Sequence, residues 1–313
     1  MDFPAPAEIY QRPDMQLVSV ATIWNQAPHN AFPDLISFKG ALYCTFREAK
    51  SHEGVNGSIR ILKSIDGSKW ESVAFVEKKG IDLRDPRFAL MGDRLQLVAG
   101  GIVWDQNGKF AEQTPYVSFS DNGSVWTEIK DLQMPGEWIW RVTWNQGVGY
   151  ATSYRTGKEW TLSLMKTTDG IHYSVVTPLN VSKFPSEATL QFLQDGTLVA
   201  LVRRRGNGWI GHAKAPFTEW TWNDCGYRLG GPNFIVLPDQ SMLMGARFYR
   251  SEKLEPYTAI GSMTLTSVEP TLSLPSSGDT GYPGLALHNG SLFVCYYSSH
   301  EGKANIYLAK LRH

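Results

Sequence analysis

Residues 186–205 read SEATLQFLQDGTLVALVRRR: an apolar strand, the turn Asp195-Gly196 and a second apolar strand. Asp-Gly between two apolar runs signals a β-hairpin, because glycine takes a left-handed turn position at no steric cost. A hairpin brings its open ends together. Glu187, which opens the first strand, and Arg203, which closes the second, are therefore predicted neighbours, with Arg204 and Arg205 beside them. An acid facing a cluster of bases at one end of a sheet needs an explanation.

The hairpin is one of six. Comparable turns centre on Gly40, Asp93, Gly147, Gly196, Gln240 and Gly290, roughly fifty residues apart, each flanked by short apolar strands such as ALYCTF, RLQLVAG and SLFVCYY. A second signal runs out of phase with the first. Asp66-Gly67-Ser68-Lys69-Trp70, Asp121-Asn122-Gly123-Ser124-Val125-Trp126 and Asp169-Gly170-Ile171-His172-Tyr173 each combine a polar residue, glycine and an aromatic. Aspartate accepts bonds from the amides that follow it, glycine supplies the left-handed turn, and the aromatic fills a gap between neighbouring sheets. These three aspartates are read as fold residues. Strand-turn-strand units at near-constant spacing predict an all-β chain, a six-bladed β-propeller, over 1–313 as a single domain.

Composition removes several function classes. Lys+Arg and Asp+Glu both number 30, so the formal net charge is zero and nothing suggests a nucleic-acid or anionic-membrane partner. No apolar run approaches the roughly 20 residues that span a bilayer. The opening MDFPAPAEIYQRP has no basic-then-apolar signal pattern, so the simple expectation is a cytoplasmic chain, with a processed periplasmic or secreted one compatible. Cys44, Cys225 and Cys295 are odd in number and scattered, which suits buried thiols. There is no HExxH or GxSxG elbow, and neither a cofactor nor a metal is expected.

If the six hairpins share one orientation, their open ends gather around one axis. First strands open on Phe32-Pro33-Asp34, Arg84-Asp85-Pro86-Arg87, Trp138 to Arg141, Ser186-Glu187, Gly231-Pro232-Asn233 and Asp279 to Tyr282. Second strands close on Arg47-Glu48, Gly100-Gly101, Tyr154-Arg155, Arg203 to Arg205, Arg247-Phe248-Tyr249 and Tyr297 to His300. The recurrence of arginine and tyrosine predicts a polar, partly cationic pocket suited to a carbohydrate, above all an anionic one, because the guanidinium fork pairs with carboxylates. Trp104, Trp138, Trp140, Trp160 and Trp209 are candidate sugar-stacking rings.

These residues resemble the sialidase (neuraminidase) superfamily, with its Asp-box repeats and six blades, over nearly the whole chain. Phe32 through Arg47 to Trp70 is similar to the first sialidase blade, Arg84-Asp85-Pro86 to the second, Ser186-Glu187 to Arg203 to the segment with the family glutamate, and Gly281-Tyr282-Pro283-Gly284-Leu285 to that with the tyrosine nucleophile. The resemblance implies Tyr282 as nucleophile, Glu187 as its base, and Arg203 and Arg247 as two of three carboxylate grips, with Arg205 a substitute. Tyrosine titrates near 10 and attacks only when a carboxylate helps remove its proton. The first family arginine is replaced by Ala31, leaving Arg47, Arg84 or Arg141 to reach in. The family's acid/base aspartate is missing from Arg47 to Gly54, so His52, Glu53 or Asp85 becomes the proton donor. Trp140, Asn233, Asp279, Tyr297 and His300 complete the expected sugar contacts.

The expected activity is an exo-glycoside hydrolase releasing a terminal sugar, acidic but not necessarily sialic. A non-catalytic carbohydrate-binding propeller and a polysaccharide lyase acting on a uronate are the alternatives. Oligomeric state is left open.

Overall fold

The computed structural model describes residues 15–158, 160–250 and 254–312. Its strands form six four-stranded antiparallel sheets arranged as the predicted six-bladed propeller. The chain enters on β1 (Gln16–Trp24). The first blade then runs outward as β2 (His29–Phe38), β3 (Ala41–Ala49), β4 (Ser58–Ser64) and β5 (Glu71–Val76), and the second as β6 (Asp82–Met91), β7 (Arg94–Trp104), β8 (Phe110–Ser120) and β9 (Lys130–Asp131). The third has β10 (Trp138–Asn145), β11 (Val148–Arg155), β12 (Thr161–Thr167) and β13 (Ser174–Pro178). The fourth has β14 (Ala188–Phe192), β15 (Leu198–Val202), β16 (Trp209–Ala213) and β17 (Thr221–Asp224). The fifth has β18 (Gly230–Val236), β19 (Met242–Arg250), β20 (Glu255–Met263) and β21 (Val268–Ser273). The sixth has β22 (Thr280–His288), β23 (Ser291–Ser298) and β24 (Asn305–Arg312), and its outermost strand is β1.

The ring closes through that borrowed strand. β1 pairs antiparallel with β24 from Gln16 opposite Arg312 to Trp24 opposite Ile306. Residues 16–24 thus supply the edge that β24 would otherwise leave unpaired. The inner strands β2, β6, β10, β14, β18 and β22 touch in sequence, and β22 returns to β2. Second strands are nearly all buried, as in β3 and β15, whereas outer strands such as β1 and β5 are largely exposed.

Each inner strand has one edge without a strand partner. Side chains from adjacent blades satisfy the carbonyls there, because an unpaired buried carbonyl is costly. Arg87 Nη1 donates to the Phe32 and Pro33 carbonyls at 3.1 and 2.7 Å, Thr152 Oγ1 to Ala188 at 2.9 Å, Thr189 Oγ1 to Pro232 at 2.8 Å, and Asn233 Nδ2 to Pro283 at 3.0 Å.

The out-of-phase turns join third strands to fourth strands. Asp66 Oδ1 accepts the Ser68 amide at 2.8 Å, and Trp70 Nε1 donates to the Gly67 carbonyl at 3.0 Å. In the second blade Asn122, not Asp121, takes this position: its Oδ1 accepts the Ser124 and Val125 amides at 2.9 and 2.8 Å. Gly123, at φ +77°, seats on the neighbouring blade, where an added Cβ would lie 2.4 Å from the Tyr43 ring. The fourth blade has the same turn without the motif: Trp220 Nε1 donates to the Phe217 carbonyl at 2.9 Å, with Phe217 at φ +66°.

Five inner strands carry a β-bulge where they begin. Register slips between Ala31 and Asp34, Arg84 and Arg87, Ile139 and Val142, Gly230 and Asn233, and Gly281 and Gly284. Phe32, Asp85, Gly231 and Tyr282 sit in these bulges at φ +60°, +47°, +53° and +50°, and each is followed by proline. A bulge re-aims a side chain, and proline loses no ladder bond where the ladder is already interrupted. In four of the six blades the inner strand therefore breaks its alternation at one left-handed residue near its start.

A chain begun at Asn25 would leave β24 with a bare edge. Urea unfolding should show a loss of several kcal/mol from the roughly 5–15 kcal/mol typical of a folded domain, together with self-association. An unchanged midpoint would show that β1 is dispensable for closure.

Candidate active site

Glu187 and Tyr282 meet at the axis. Tyr282 Oη donates to Glu187 Oε1 at 2.8 Å, although 95 residues separate them in the chain. Arg203 Nη1 donates to the Glu187 carboxylate oxygens at 2.6 and 2.7 Å and to Tyr282 Oη at 2.9 Å. The Gly231 amide donates to Glu187 Oε2 at 3.0 Å. Gly231 is also the seat of the tyrosine: a Cβ there would lie 2.2 Å from Tyr282 Cδ1.

Charge explains how these groups sit. Burial alone would raise the Glu187 pKa, but the charge of Arg203 and bonds from Arg203, Tyr282 and Gly231 outweigh it and hold the carboxyl below its usual range. Burial, then the charge of Glu187, pushes the Tyr282 phenol well up, against the pull of Arg203 and Arg247. The resting pair is a carboxylate beside a neutral phenol. The Arg247 guanidinium lies 5.1 Å from the Tyr282 ring centre, and the Trp140 edge meets the ring with centres 5.8 Å apart.

A second cluster adjoins the first. His52 Nδ1 lies 2.7 Å and His29 Nε2 3.0 Å from the same Asp279 oxygen, while Tyr297 Oη donates to the other oxygen at 2.8 Å. Arg247 Nη2 donates to Tyr297 Oη at 2.8 Å, and Arg247 Nε to the Thr280 carbonyl. Burial works to raise the Asp279 pKa, but bonds from both imidazoles and Tyr297 hold it far below the usual range. Among the described residues, His29, His52 and Asp279 are a grouping of donors close enough to share a metal ion. Here Asp279 is already satisfied by N–H and O–H donors, and the Arg247 guanidinium 3.7 Å away opposes a further cation. Phe32 joins the clusters: its ring centre is 5.4 Å from Tyr282, 5.2 Å from His52 and 5.4 Å from Tyr297.

Other sequence candidates divide by what they touch. Asp85 projects from its bulge beside Arg87, 3.5 Å away, and burial raises its carboxyl pKa against the pull of Arg87 and Arg84. Arg84 Nη1 donates to the His52 carbonyl at 2.6 Å and so ties down the 50–57 loop. Arg47 does not reach the mouth. It is fully buried, with Nε on Asp82 at 2.7 Å and the other nitrogens on the Ser51 and Val55 carbonyls. Arg141 lies deeper, paired with Asp34 at 2.9 Å in a cavity farther down the channel. Arg205 lies over Phe184, 4.4 Å from that ring centre, leaving Arg203 alone on Glu187. Asn233 is buried, spent on the Pro283 carbonyl. His300 bonds Ser298 Oγ at 2.9 Å and packs on Tyr307. Glu53 points to solvent. Trp140 is 1% exposed, too deep to stack on a sugar, and lies instead under Arg87 and beside Tyr282. All three cysteines are free and buried.

His29 and Arg87 adjoin these clusters, and the sequence reading assigned a role to neither. The only signal for His29 was its place three residues before the Phe32 bulge. A cavity of about 710 Å³ opens on the opposite face among the hairpin turns, but no ionisable side chain lines it. The mouth is marked by chemistry rather than by volume.

Known structures carry the same ring. A Trypanosoma rangeli sialidase in complex with the inhibitor DANA superposes with TM-score 0.71 at 12% identity, covering 95% of this chain and 60% of its own. The fold is that of the sialidases. It is equally that of two fungal arabinan-degrading glycoside hydrolases. A Fusarium graminearum α-L-arabinofuranosidase matches at TM-score 0.71 and 15% identity, covering 95% and 98% of the two chains. A Penicillium chrysogenum α-L-arabinanase complexed with arabinobiose matches at 0.70 and 13%, covering 94% and 98%. The chain spans about 60% of the length of the trypanosomal sialidase. No protein-family model matches the sequence, and no curated protein does.

Glu187 is ionised in the fold at lower pH than in the unfolded chain. Its contribution to stability is therefore complete above the ordinary carboxylate range and is lost as pH falls through its folded value. Glu187→Gln should unfold at lower urea than wild type at about pH 7, with the gap narrowing toward about pH 3. A gap that does not change with pH would refute this coupling.

Proposed function

We propose that the protein is a retaining exo-glycoside hydrolase that releases a terminal acidic sugar from a glycan, with Tyr282 as nucleophile and Glu187 as its base. The observation that carries this reading is the 2.8 Å bond from Tyr282 Oη to Glu187 Oε1, with Arg203 Nη1 within 2.9 Å of the phenol. A buried neutral phenol has no structural need of an ionised partner, whereas an attacking one does. As Oη bonds to the anomeric carbon, its proton passes to Glu187, and Arg203 stabilises the negative charge that develops on the phenol oxygen.

An acidic sugar fits the surrounding charge. Arg203 is 30% exposed at its side chain, and Arg247 is partly open to the mouth, so both guanidinium groups can meet a carboxylate. A neutral nucleophile also approaches an anionic sugar without charge repulsion. A trypanosomal sialidase of the same fold is described in complex with 2,3-difluorosialic acid as a covalent intermediate, which supports a covalent mechanism on this ring. The usual third arginine is absent, since Ala31 is fully buried where it would stand. That favours a nonulosonic or uronic acid bound by fewer charges over strict selection of sialic acid.

The test is release of nitrophenol from aryl ketosides of sialic and deaminated nonulosonic acids, aryl uronides and aryl arabinofuranosides. Turnover of an acidic member, reduced at least ~10³-fold in Tyr282→Phe, is expected. Exclusive turnover of the arabinofuranoside would replace the acidic sugar with a neutral pentose. No turnover of any member would sink the reading.

A further inference from the structure

The loop that would carry an aspartate acid/base in a sialidase-like site carries His52 instead, and His52 is the best-placed proton donor on the rim. Its side chain is 42% exposed, whereas Asp85, the other acid within reach, has a side chain 11% exposed and held against Arg87. Three contacts fix the imidazole. Nδ1 lies 2.7 Å from Asp279 Oδ2, the ring meets Phe32 edge-on with centres 5.2 Å apart, and Arg84 Nη1 holds the His52 carbonyl at 2.6 Å. Asp279 is in turn held by His29 and Tyr297. This leaves Nε2 as the ring nitrogen free for proton transfer, in the tautomer that a carboxylate behind Nδ1 selects. Phe32 touches both His52 and Tyr282, so the imidazole and the nucleophile flank one ring at the mouth.

We infer that His52, oriented by Asp279 and His29, is the general acid and then the general base of the reaction. This rests on the glycosidase reading above. In the first step Tyr282 Oη bonds to the anomeric carbon and its proton goes to Glu187. The glycosidic carbon–oxygen bond breaks, and the departing oxygen takes the Nε2 proton of His52, which enters this step as the imidazolium and leaves it neutral with Nδ1–H on Asp279. In the second step neutral His52 removes a proton from water, whose oxygen bonds to the anomeric carbon. The tyrosyl–carbon bond breaks, and Tyr282 recovers its proton from Glu187. One water is consumed and every residue returns to its starting state. The leaving glycan departs toward solvent, the side on which His52 is exposed. His52 and Asp279 are catalytic and positioning residues respectively.

The experiment takes the glycone turned over fastest in the panel above and places it on dinitrophenol, which leaves unaided, and on methoxyphenol, which needs a proton. Wild type, His52→Ala, His52→Gln and Asp85→Asn are compared on both, with and without azide. Both His52 variants should lose ~10²–10⁴-fold in kcat/KM on the methoxyphenyl glycoside and far less on the dinitrophenyl one. Azide, which needs no base, should restore dinitrophenyl turnover in His52→Ala and yield the glycosyl azide. Asp85→Asn should lose equally on both substrates and gain nothing from azide. Equal losses on the two leaving groups in the His52 variants, or azide rescue of Asp85→Asn instead, overturns the assignment while leaving the glycosidase reading intact. Failure of wild type to release either phenol overturns both.

Discussion

The site depends on a backbone constraint before it depends on any side chain. Inner strands of a propeller line a crowded axis, and a regular strand would point its side chains alternately into the two flanking blades. The bulges at Phe32, Asp85, Gly231 and Tyr282 break that alternation with left-handed residues. For residues other than glycine, such backbone costs on the order of 1 kcal/mol or more each, and it persists only where neighbours hold it. Here they do. Arg87 binds the carbonyls of the Phe32 bulge, and Asn233 binds the carbonyl of Pro283, just after Tyr282. The tyrosine is aimed by its own strand, held by the fifth blade and made to fit by the absence of a side chain at Gly231.

Once aimed, the groups form two neutralising clusters that share an edge. In one, Glu187 is enclosed by Arg203, a backbone amide and the phenol. In the other, Asp279 is enclosed by two imidazoles, Tyr297 and Arg247. Neither carboxylate is left as an uncompensated buried charge, which would destabilise the ring by several kcal/mol. Both keep a proton-bearing partner toward the mouth: Tyr282 on the deep side, His52 on the rim. One proton acceptor on the deep side and one donor on the rim is the polarity that the proposed displacement at an anomeric carbon would require.

Much of this was legible in the sequence. The Asp195-Gly196 turn fixed the register of the fourth blade, and the proximity of Glu187 and Arg203 followed from hairpin geometry alone. The spacing of six such turns gave the blade count. The recurrent X-Pro at the strand openings, Phe32-Pro33, Asp85-Pro86, Gly231-Pro232 and Tyr282-Pro283, was equally visible and announces the bulges. Polar residues at strand ends were harder to sort. Arg47, Arg141 and Asn233 follow the same pattern as Arg203 and Arg247 but turn inward, because the ring needs donors for its carbonyls and counter-charges for Asp82 and Asp34. His29 was out of reach, since its partner Asp279 lies 250 residues away and no local pattern links them. The fourth-blade turn escaped notice because Phe217 takes the place of glycine there.

The account turns on Tyr282 as the atom that bonds to sugar. Incubation with a fluorinated, slow-hydrolysing analogue of the preferred acidic glycone, followed by proteolysis and tandem mass spectrometry of the peptides, measures this directly. A single adduct on the peptide containing Tyr282, absent from Tyr282→Phe, is the predicted result. An adduct on Glu187, or turnover of the glycone with inverted anomeric configuration and no adduct, would contradict it.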